Sequence, residues 1–167
     1  MTQHGRLGDL RLVREGIAVR YDRRLDATPA QVWDALTDPG ELARWLGHVT
    51  VADRAVTVLL APDAPPATGR VAYSDPEKML EVDLQWPDEP PARFVAEIAE
   101  LGSQRAIVVV EYRGVPEAVA AERAAEWHGR IEALAAVASG TAVPAQEVPP
   151  DLVASYEVAL AELRSGG

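Results

Sequence analysis

Apolar and polar residues alternate over residues 15–26, near the start of the chain. The residues that share one face are Ile17, Val19, Tyr21, Arg23 and Leu25. A period of two is typical of a half-buried strand. Thr28 and Pro29 then form a pair typical of a helix N-terminus, and apolar residues recur after them at helical spacing. The pattern predicts a strand, a helix beginning at Pro29 and a second short helix over 41–46.

Short apolar runs separated by turn-forming residues follow. The runs cover residues 49–51, 55–61, 70–74, 80–86, 93–101 and 105–112. The Pro, Gly, Asp and Ser residues between them favour turns. Connections this short join antiparallel strands, because parallel neighbours need a crossover segment. The pattern therefore predicts an antiparallel meander of six strands after the first one.

The longest helical pattern covers residues 116–138 and stops at Gly140. Its apolar stripe needs a sheet to lie on, and its charged residues cover the opposite side. A Pro-rich link leads to a last amphipathic helix over 152–163. This element order predicts an α+β fold in which a curved sheet grips the long helix. Because the two surfaces separate at one end, we expect a ligand to bind between them.

Composition narrows the class of protein. The 167 residues are enough for one compact domain, and the formal charge of −10, from 26 acidic and 16 basic residues, disfavours nucleic acid as a partner. The chain has no Cys, so thiolate nucleophiles and disulfides are excluded. Without an apolar run of about 18 residues or an apolar N-terminal stretch, we expect no membrane insertion and a cytoplasmic location. Arg far outnumbers Lys, which suggests a bacterial, GC-rich source.

Three stretches in these elements share the pattern of one family. They are LDATPAQVWDALTDPGELARWLG (25–47), TGRVAYSDPEKMLEVDLQW (68–86), and EYRGVPE leading into EWHGRIEALAAVASG (111–140). Together they resemble the START-like (SRPBCC) superfamily and, within it, the group named after the activator of heat-shock protein 90 ATPase. The chain departs from that group in lacking a paired-Gly turn near Asp53 and in having Leu46 where a second aromatic residue often stands.

The resemblance covers about residues 15–140 and implies a helix-grip (START/Bet v 1-like) fold. That fold is a curved antiparallel sheet of about six to seven strands around a long C-terminal helix, with two short helices after the first strand. The remaining residues are expected to form a flexible N-terminal arm over 1–14, and a linker with an additional C-terminal helix over 141–167.

The candidate ligand-binding residues are those that the pattern turns toward the space between sheet and long helix. They are Trp86, Trp127, Tyr112, Tyr73, Phe94, Leu84, Ile131 and Trp45. The candidate catalytic residues are Tyr112, Arg23 and Tyr73, because a Tyr hydroxyl orients a carbonyl or phenol and Arg holds a carboxylate or enolate. Core packing is the competing interpretation for the Trp residues, and a water-facing edge position is the competing interpretation for Arg23.

Other chemistries lack support. The three His residues, His4, His48 and His128, have no metal-ligand spacing, and no Ser lies in a Gly-x-Ser-x-Gly elbow. The chain has no phosphate-binding Gly-rich loop. We therefore expect no metal site and no cofactor.

Three function classes remain open. The first is the binding of a hydrophobic, polycyclic or lipid-like small molecule, for transport, sequestration or natural-product resistance. The resemblance adds a second, a polyketide cyclase or aromatase, and a third, a chaperone co-factor that activates an ATPase. A hydrophobic small molecule is the expected partner, and a homodimer is compatible with the sequence.

Overall fold

The alternating segments form a single curved sheet of eight antiparallel strands. The computed structural model describes residues 6–145 and 147–166. The strands are β1 (Asp9–Val13), β2 (Gly16–Leu25), β3 (His48–Ala52), β4 (Ala55–Leu59), β5 (Ala67–Asp75), β6 (Met79–Gln85), β7 (Ala92–Gly102) and β8 (Arg105–Val115). Their order across the sheet is β1-β2-β8-β7-β6-β5-β4-β3. The helices are α1 (Pro29–Thr37), α2 (Pro39–Trp45), α3 (Ala120–Ser139) and α4 (Pro150–Ser165), with a 3-10 turn over Glu117–Val119.

The long helix α3 packs on the inner face of this sheet. Its buried residues include Ala124, Trp127, Ile131 and Leu134, which belong to the same core as the inward residues of β2, β7 and β8. Helices α1 and α2 close one end of the core between the sheet and α3. The predicted α+β helix-grip fold, with two short helices after the long first strand of the pattern, is confirmed.

The sheet has one strand more than the expected six to seven. Residues 9–13, which the sequence pattern assigns to a flexible arm, pair with β2 from Asp9 opposite Arg20 to Val13 opposite Gly16. Gly16 makes the tight turn between these strands, since its φ of 121° is a conformation that residues with a Cβ rarely adopt. The assignment of residues 9–13 to an arm is therefore wrong, and residues 1–5 of that arm lie outside the described residues.

Local signals set the helix ends. Thr28 caps α1 with a capping box, in which its hydroxyl accepts from the Gln31 amide and the Gln31 side chain accepts from the Thr28 amide. Gly140 ends α3 in the left-handed conformation, with a φ of 72°. The predicted stop of the long helix at Gly140 is thus confirmed.

Helix α4 packs on α3 and β1 through buried hydrogen bonds. The Gly8 amide donates to the Tyr156 hydroxyl at 2.7 Å, and the same hydroxyl lies 2.8 Å from His128 Nδ1. Tyr156 and His128 are almost completely buried. The additional C-terminal helix is therefore attached both to the long helix and to the N-terminal edge of the sheet.

Candidate functional site

An apolar cavity of about 270 Å³ lies between α1, α2 and the inner faces of β3 to β7. Its lining residues are Leu36, Thr37, Leu42, Trp45, Leu46, Val49, Val51, Val56, Val58, Val71, Ser74, Leu80, Val82, Leu84, Phe94 and Trp127. Thr37 and Ser74 supply its only side-chain hydroxyls, and the Thr37 hydroxyl donates to the Trp33 carbonyl at 2.7 Å. A molecule in this cavity would meet almost exclusively hydrocarbon and aromatic surface.

A second, more polar cavity of about 360 Å³, called the mouth cavity below, lies where the end of β8 separates from the start of α3. Its lining residues are Leu60, Pro65, Trp86, Pro87, Asp88, Glu89, Tyr112, Gly114, Val115, Pro116, Arg123, Glu126, Trp127 and Arg130. Pro87 and Asp88 on the β6–β7 loop are exposed, so this cavity opens to solvent. Trp127 is part of the wall of both cavities.

An aromatic cluster forms that shared wall. The Tyr112 ring stacks on Trp127 with ring centroids 4.5 Å apart, and the Phe94 ring lies 5.9 Å from the same indole. Tyr112 and Phe94 reach it together because they are directly opposite each other on β8 and β7. The Trp86 indole N–H donates to the Tyr112 hydroxyl at 2.6 Å. Four predicted binding residues are therefore brought into one contact group.

The Tyr112 hydroxyl is held in its neutral, proton-donating form. Burial raises the pKa of Tyr112 to about 12, against a smaller lowering by the hydrogen bond from Trp86 and a further rise from the charge of Glu89. The hydroxyl accepts from Trp86 and, within the part of the chain that the structure describes, donates no hydrogen bond of its own. That proton is available to a carbonyl or phenolic oxygen of a bound molecule.

A salt bridge fixes the rim of the mouth cavity. Arg123 on α3 donates to Glu89 on the β6–β7 loop from two nitrogens, at 2.5 and 3.1 Å, and to Glu126 at 3.3 Å. The hydrogen bond to Glu89 raises the pKa of Arg123. This contact holds the loop against the helix and uses both carboxylates.

Arg130, which is also on α3, contacts an aromatic ring instead of a carboxylate. Its guanidinium carbon lies 4.8 Å from the centroid of the Trp127 ring, a cation–π contact. Burial lowers the pKa of Arg130, partly opposed by the charge of Glu126. Arg130 is half-buried, and among residues 6–145 and 147–166 no carboxylate forms an ion pair with it.

The structure separates the remaining predicted residues from this cluster. Leu84 and Trp45 line the apolar cavity, and the Trp45 indole N–H donates to the Ala35 carbonyl at 2.7 Å. Ile131 is buried in the core and lines neither cavity.

Arg23 and Tyr73 do not reach either cavity. Arg23 donates to Glu132 at 2.6 Å and lies opposite Val108, four residues and about 13 Å along β8 from Tyr112. Tyr73 is 47% exposed on the outer face, because a bulge after Val71 places it opposite the outward-facing Glu81. The expectation that these two side chains point into the space between sheet and long helix is not met, and their role as catalytic candidates stays a prediction.

The sequence pattern also missed polar residues of the mouth cavity. It placed Arg123, Glu126 and Arg130 on the solvent side of the long helix and gave Glu89 no role. The spacing of three residues between Trp127 and Arg130 is the signal that could have found the contact, because residues at i and i+3 are neighbours on a helix.

The described residues form neither a membrane-spanning helix nor a metal-binding group. None of the helices in the described part of the chain is long and apolar enough to cross a membrane. Nor do three or more His, Asp or Glu side chains come together there in a group that could hold a metal ion.

Several solved structures share this fold. CalU16 from Micromonospora echinospora is 20% identical, with a TM-score of 0.72 over 96% of this chain and 94% of that one. DynU16, described as a protein in the dynemicin biosynthetic locus, is 21% identical, with a TM-score of 0.65 over 77% of this chain and 50% of that one. The Aha1 dimer from Colwellia psychrerythraea is 13% identical, with a TM-score of 0.62 over 73% of this chain and 96% of that one. At these identities the likeness shows a shared fold.

Sequence comparison shows to which family the chain belongs. No curated protein sequence matches the chain. The sequence model of the family described as Activator of Hsp90 ATPase homolog 1-like protein matches residues 26–139, from the end of the long strand β2 to the end of α3. The match covers more than half of the chain and includes every residue that lines the two cavities. The chain belongs to this family of activator of Hsp90 ATPase homolog 1-like proteins within the START-like superfamily.

Proposed function

We propose that the protein binds a hydrophobic, polycyclic or lipid-like small molecule between the sheet and α3, and so transports or sequesters it or confers resistance to it. The observation that carries this proposal is the apolar cavity of about 270 Å³, lined by aliphatic and aromatic side chains of α1, α2 and the sheet. Alone it is close to the lower limit of ordinary small-molecule sites, about 300 to 1,000 Å³, and together with the adjoining mouth cavity it lies within that range.

The aromatic cluster supports the same proposal. Flat rings of Trp127 and Phe94 offer large contact areas to a ring system at low cost in conformational entropy. The structural likeness to a protein in the dynemicin biosynthetic locus supports a natural product as the class of compound.

The test uses the neutral fluorescent probe N-phenyl-1-naphthylamine, followed by displacement with a panel of polycyclic compounds and lipids. Val82 lines the apolar cavity, and Val95 is a similarly half-buried strand residue on the outer face. We expect Val82→Phe to fill the cavity and weaken probe binding about tenfold or more, equal to about 1.4 kcal/mol. Val95→Phe should bind as the wild type does. Absence of saturable binding, or equal binding by Val82→Phe, would overturn the proposal.

A second function, polyketide cyclase or aromatase, is favoured by the Tyr112 hydroxyl. A neutral hydroxyl with an unused proton can donate to a ketone oxygen and stabilise the negative charge that develops there during ring closure. Arg23 is not part of this assignment, since it lies away from both cavities. Turnover of a poly-β-keto substrate that is lost in Tyr112→Phe and kept in Tyr73→Phe would support it, and equal turnover in both variants would remove it.

The other expected roles remain predictions. The Aha1 dimer from Colwellia psychrerythraea supports a homodimer, which sedimentation velocity would test. The family description supports a chaperone co-factor, which stimulation of a chaperone ATPase would test. The cytoplasmic location and the bacterial origin rest on the sequence alone.

A further inference from the structure

Arg130 differs from every other arginine of the described chain. The remaining arginines without an ion pair are all exposed to water. They are Arg14, Arg20, Arg24, Arg54 and Arg70. Arg130 is half-buried at the wall of the mouth cavity and is likewise unpaired. Water can solvate an exposed guanidinium, whereas burial removes that solvation and leaves the charge in need of a partner.

The neighbouring carboxylates do not supply that partner. Glu89 and Glu126 both face the mouth cavity, and both are bonded to Arg123. Asp88, the other acidic residue of the lining, is exposed on the rim. The face of the Trp127 ring attracts the Arg130 cation. That contact does not use the N–H groups of Arg130, which lie in the plane of the guanidinium. Within residues 6–145 and 147–166, the five N–H donors of Arg130 therefore have no hydrogen-bond acceptor, although they lie at a concave site.

The surrounding walls limit what can reach these donors. The mouth cavity is lined by Trp86 and Trp127 and by Pro65, Pro87 and Pro116. One unpaired guanidinium next to three carboxylates suits a singly charged anion better than a phosphate dianion, whose second charge would meet those carboxylates. A carboxylate also matches the guanidinium fork with two parallel hydrogen bonds.

We infer that Arg130 anchors the carboxylate of a flat aromatic acid, whose rings lie in the mouth cavity beside Trp86. This inference rests on the proposed function, because the mouth cavity adjoins the apolar cavity and shares Trp127 with it. It adds the chemical class of the ligand, an aromatic monocarboxylic acid, and the residue that selects for it.

The experiment compares 2-naphthoate with 2-naphthamide, a neutral compound of nearly the same shape, by isothermal titration calorimetry at pH 7. In the wild type we expect the acid to bind about tenfold or more tightly than the amide, since a charge-assisted pair with Arg130 forms only with the acid. Arg130→Gln should abolish the preference and leave amide binding within about twofold. Arg130→Lys keeps the charge without the planar fork and should retain part of the preference.

Arg105→Gln is the matched control, because Arg105 is an exposed arginine paired with Asp26 at the far end of the sheet. It should keep the full preference for the acid. The comparison of acid and amide in the wild type needs no variant, so the inference stays testable even if Arg130→Gln fails to fold. Equal binding of acid and amide in the wild type overturns the inference, and so does a preference that survives in folded Arg130→Gln.

The same measurements separate the two proposals. If N-phenyl-1-naphthylamine binds and 2-naphthoate does not, the assignment of Arg130 fails and the proposed function stands. If neither the probe nor either naphthalene compound binds, both fail. If the acid binds in preference to the amide and Arg130→Gln removes that preference, both are supported.

Discussion

Replacing Tyr112 with Phe should make the protein less sensitive to alkaline pH. The pKa of Tyr112 is about 12 in the folded protein because of burial, against 10.0 for a free tyrosine. A raised folded pKa stabilises the fold below pH 10, and this contribution is lost as the pH rises toward 12. The difference between these two pKa values corresponds to about 2.7 kcal/mol of the free energy of unfolding, of which about 1.4 kcal/mol is lost by pH 11.

The variant carries an opposing cost of its own. Tyr112→Phe removes the acceptor of the Trp86 indole N–H, which should cost about 1 kcal/mol at pH 9. The two effects have opposite sign, so the free energies of unfolding of variant and wild type should cross between about pH 10 and 11, where the pH-dependent loss in the wild type reaches about 1 kcal/mol.

Urea unfolding at pH 9, 10 and 11, monitored by circular dichroism, measures this difference directly. Other groups that titrate in this range affect both proteins and cancel in the comparison. Tyr73→Phe removes the same hydroxyl from the exposed outer face and controls for the substitution itself. A difference between Tyr112→Phe and wild type that stays constant from pH 9 to 11 would refute the account of how burial holds this hydroxyl neutral.

Three further predictions concern the scaffold, each measured as the free energy of unfolding in urea at pH 8. Tyr156→Phe removes the hydroxyl that bonds to both the Gly8 amide and His128, and should cost about 2 to 4 kcal/mol; a loss under 1 kcal/mol would contradict the role of this contact in attaching α4. Thr28→Ala removes the capping box of α1 and should cost about 1 kcal/mol, whereas Thr28→Ser should restore most of it. Gly114→Ala should cost about 1 to 3 kcal/mol, because the φ of Gly114 is 92° and the new Cβ would clash with the Pro91 carbonyl oxygen of the β6–β7 loop. A variant as stable as the wild type would show that the backbone there can shift.

Most of the fold follows from local patterns in the sequence. The capping box at Thr28 and the stop at Gly140 are local signals that act through the backbone, and both occur where the pattern indicates. Strand β1 was not predicted because its five residues include two charged ones and lie at the edge of the sheet, where one face needs no burial. Only its pairing with β2 shows that it is a strand.

The site is less accessible to prediction because it depends on contacts between distant elements. Inward placement of Trp127, Tyr112 and Phe94 follows from periodicity. Tyr73 was misplaced because a period of two was extended through a bulge, and one extra residue in a strand reverses the direction of every later side chain. Arg130 was missed because a long side chain can leave the solvent side and cover an aromatic ring.

The position of Trp127 in the wall of both cavities has a consequence for how they fill. A bulky molecule that pushes this indole aside to enlarge one cavity takes volume from the other. Occupancy of the two sites is then antagonistic, and by thermodynamic linkage each ligand weakens the other by the same factor.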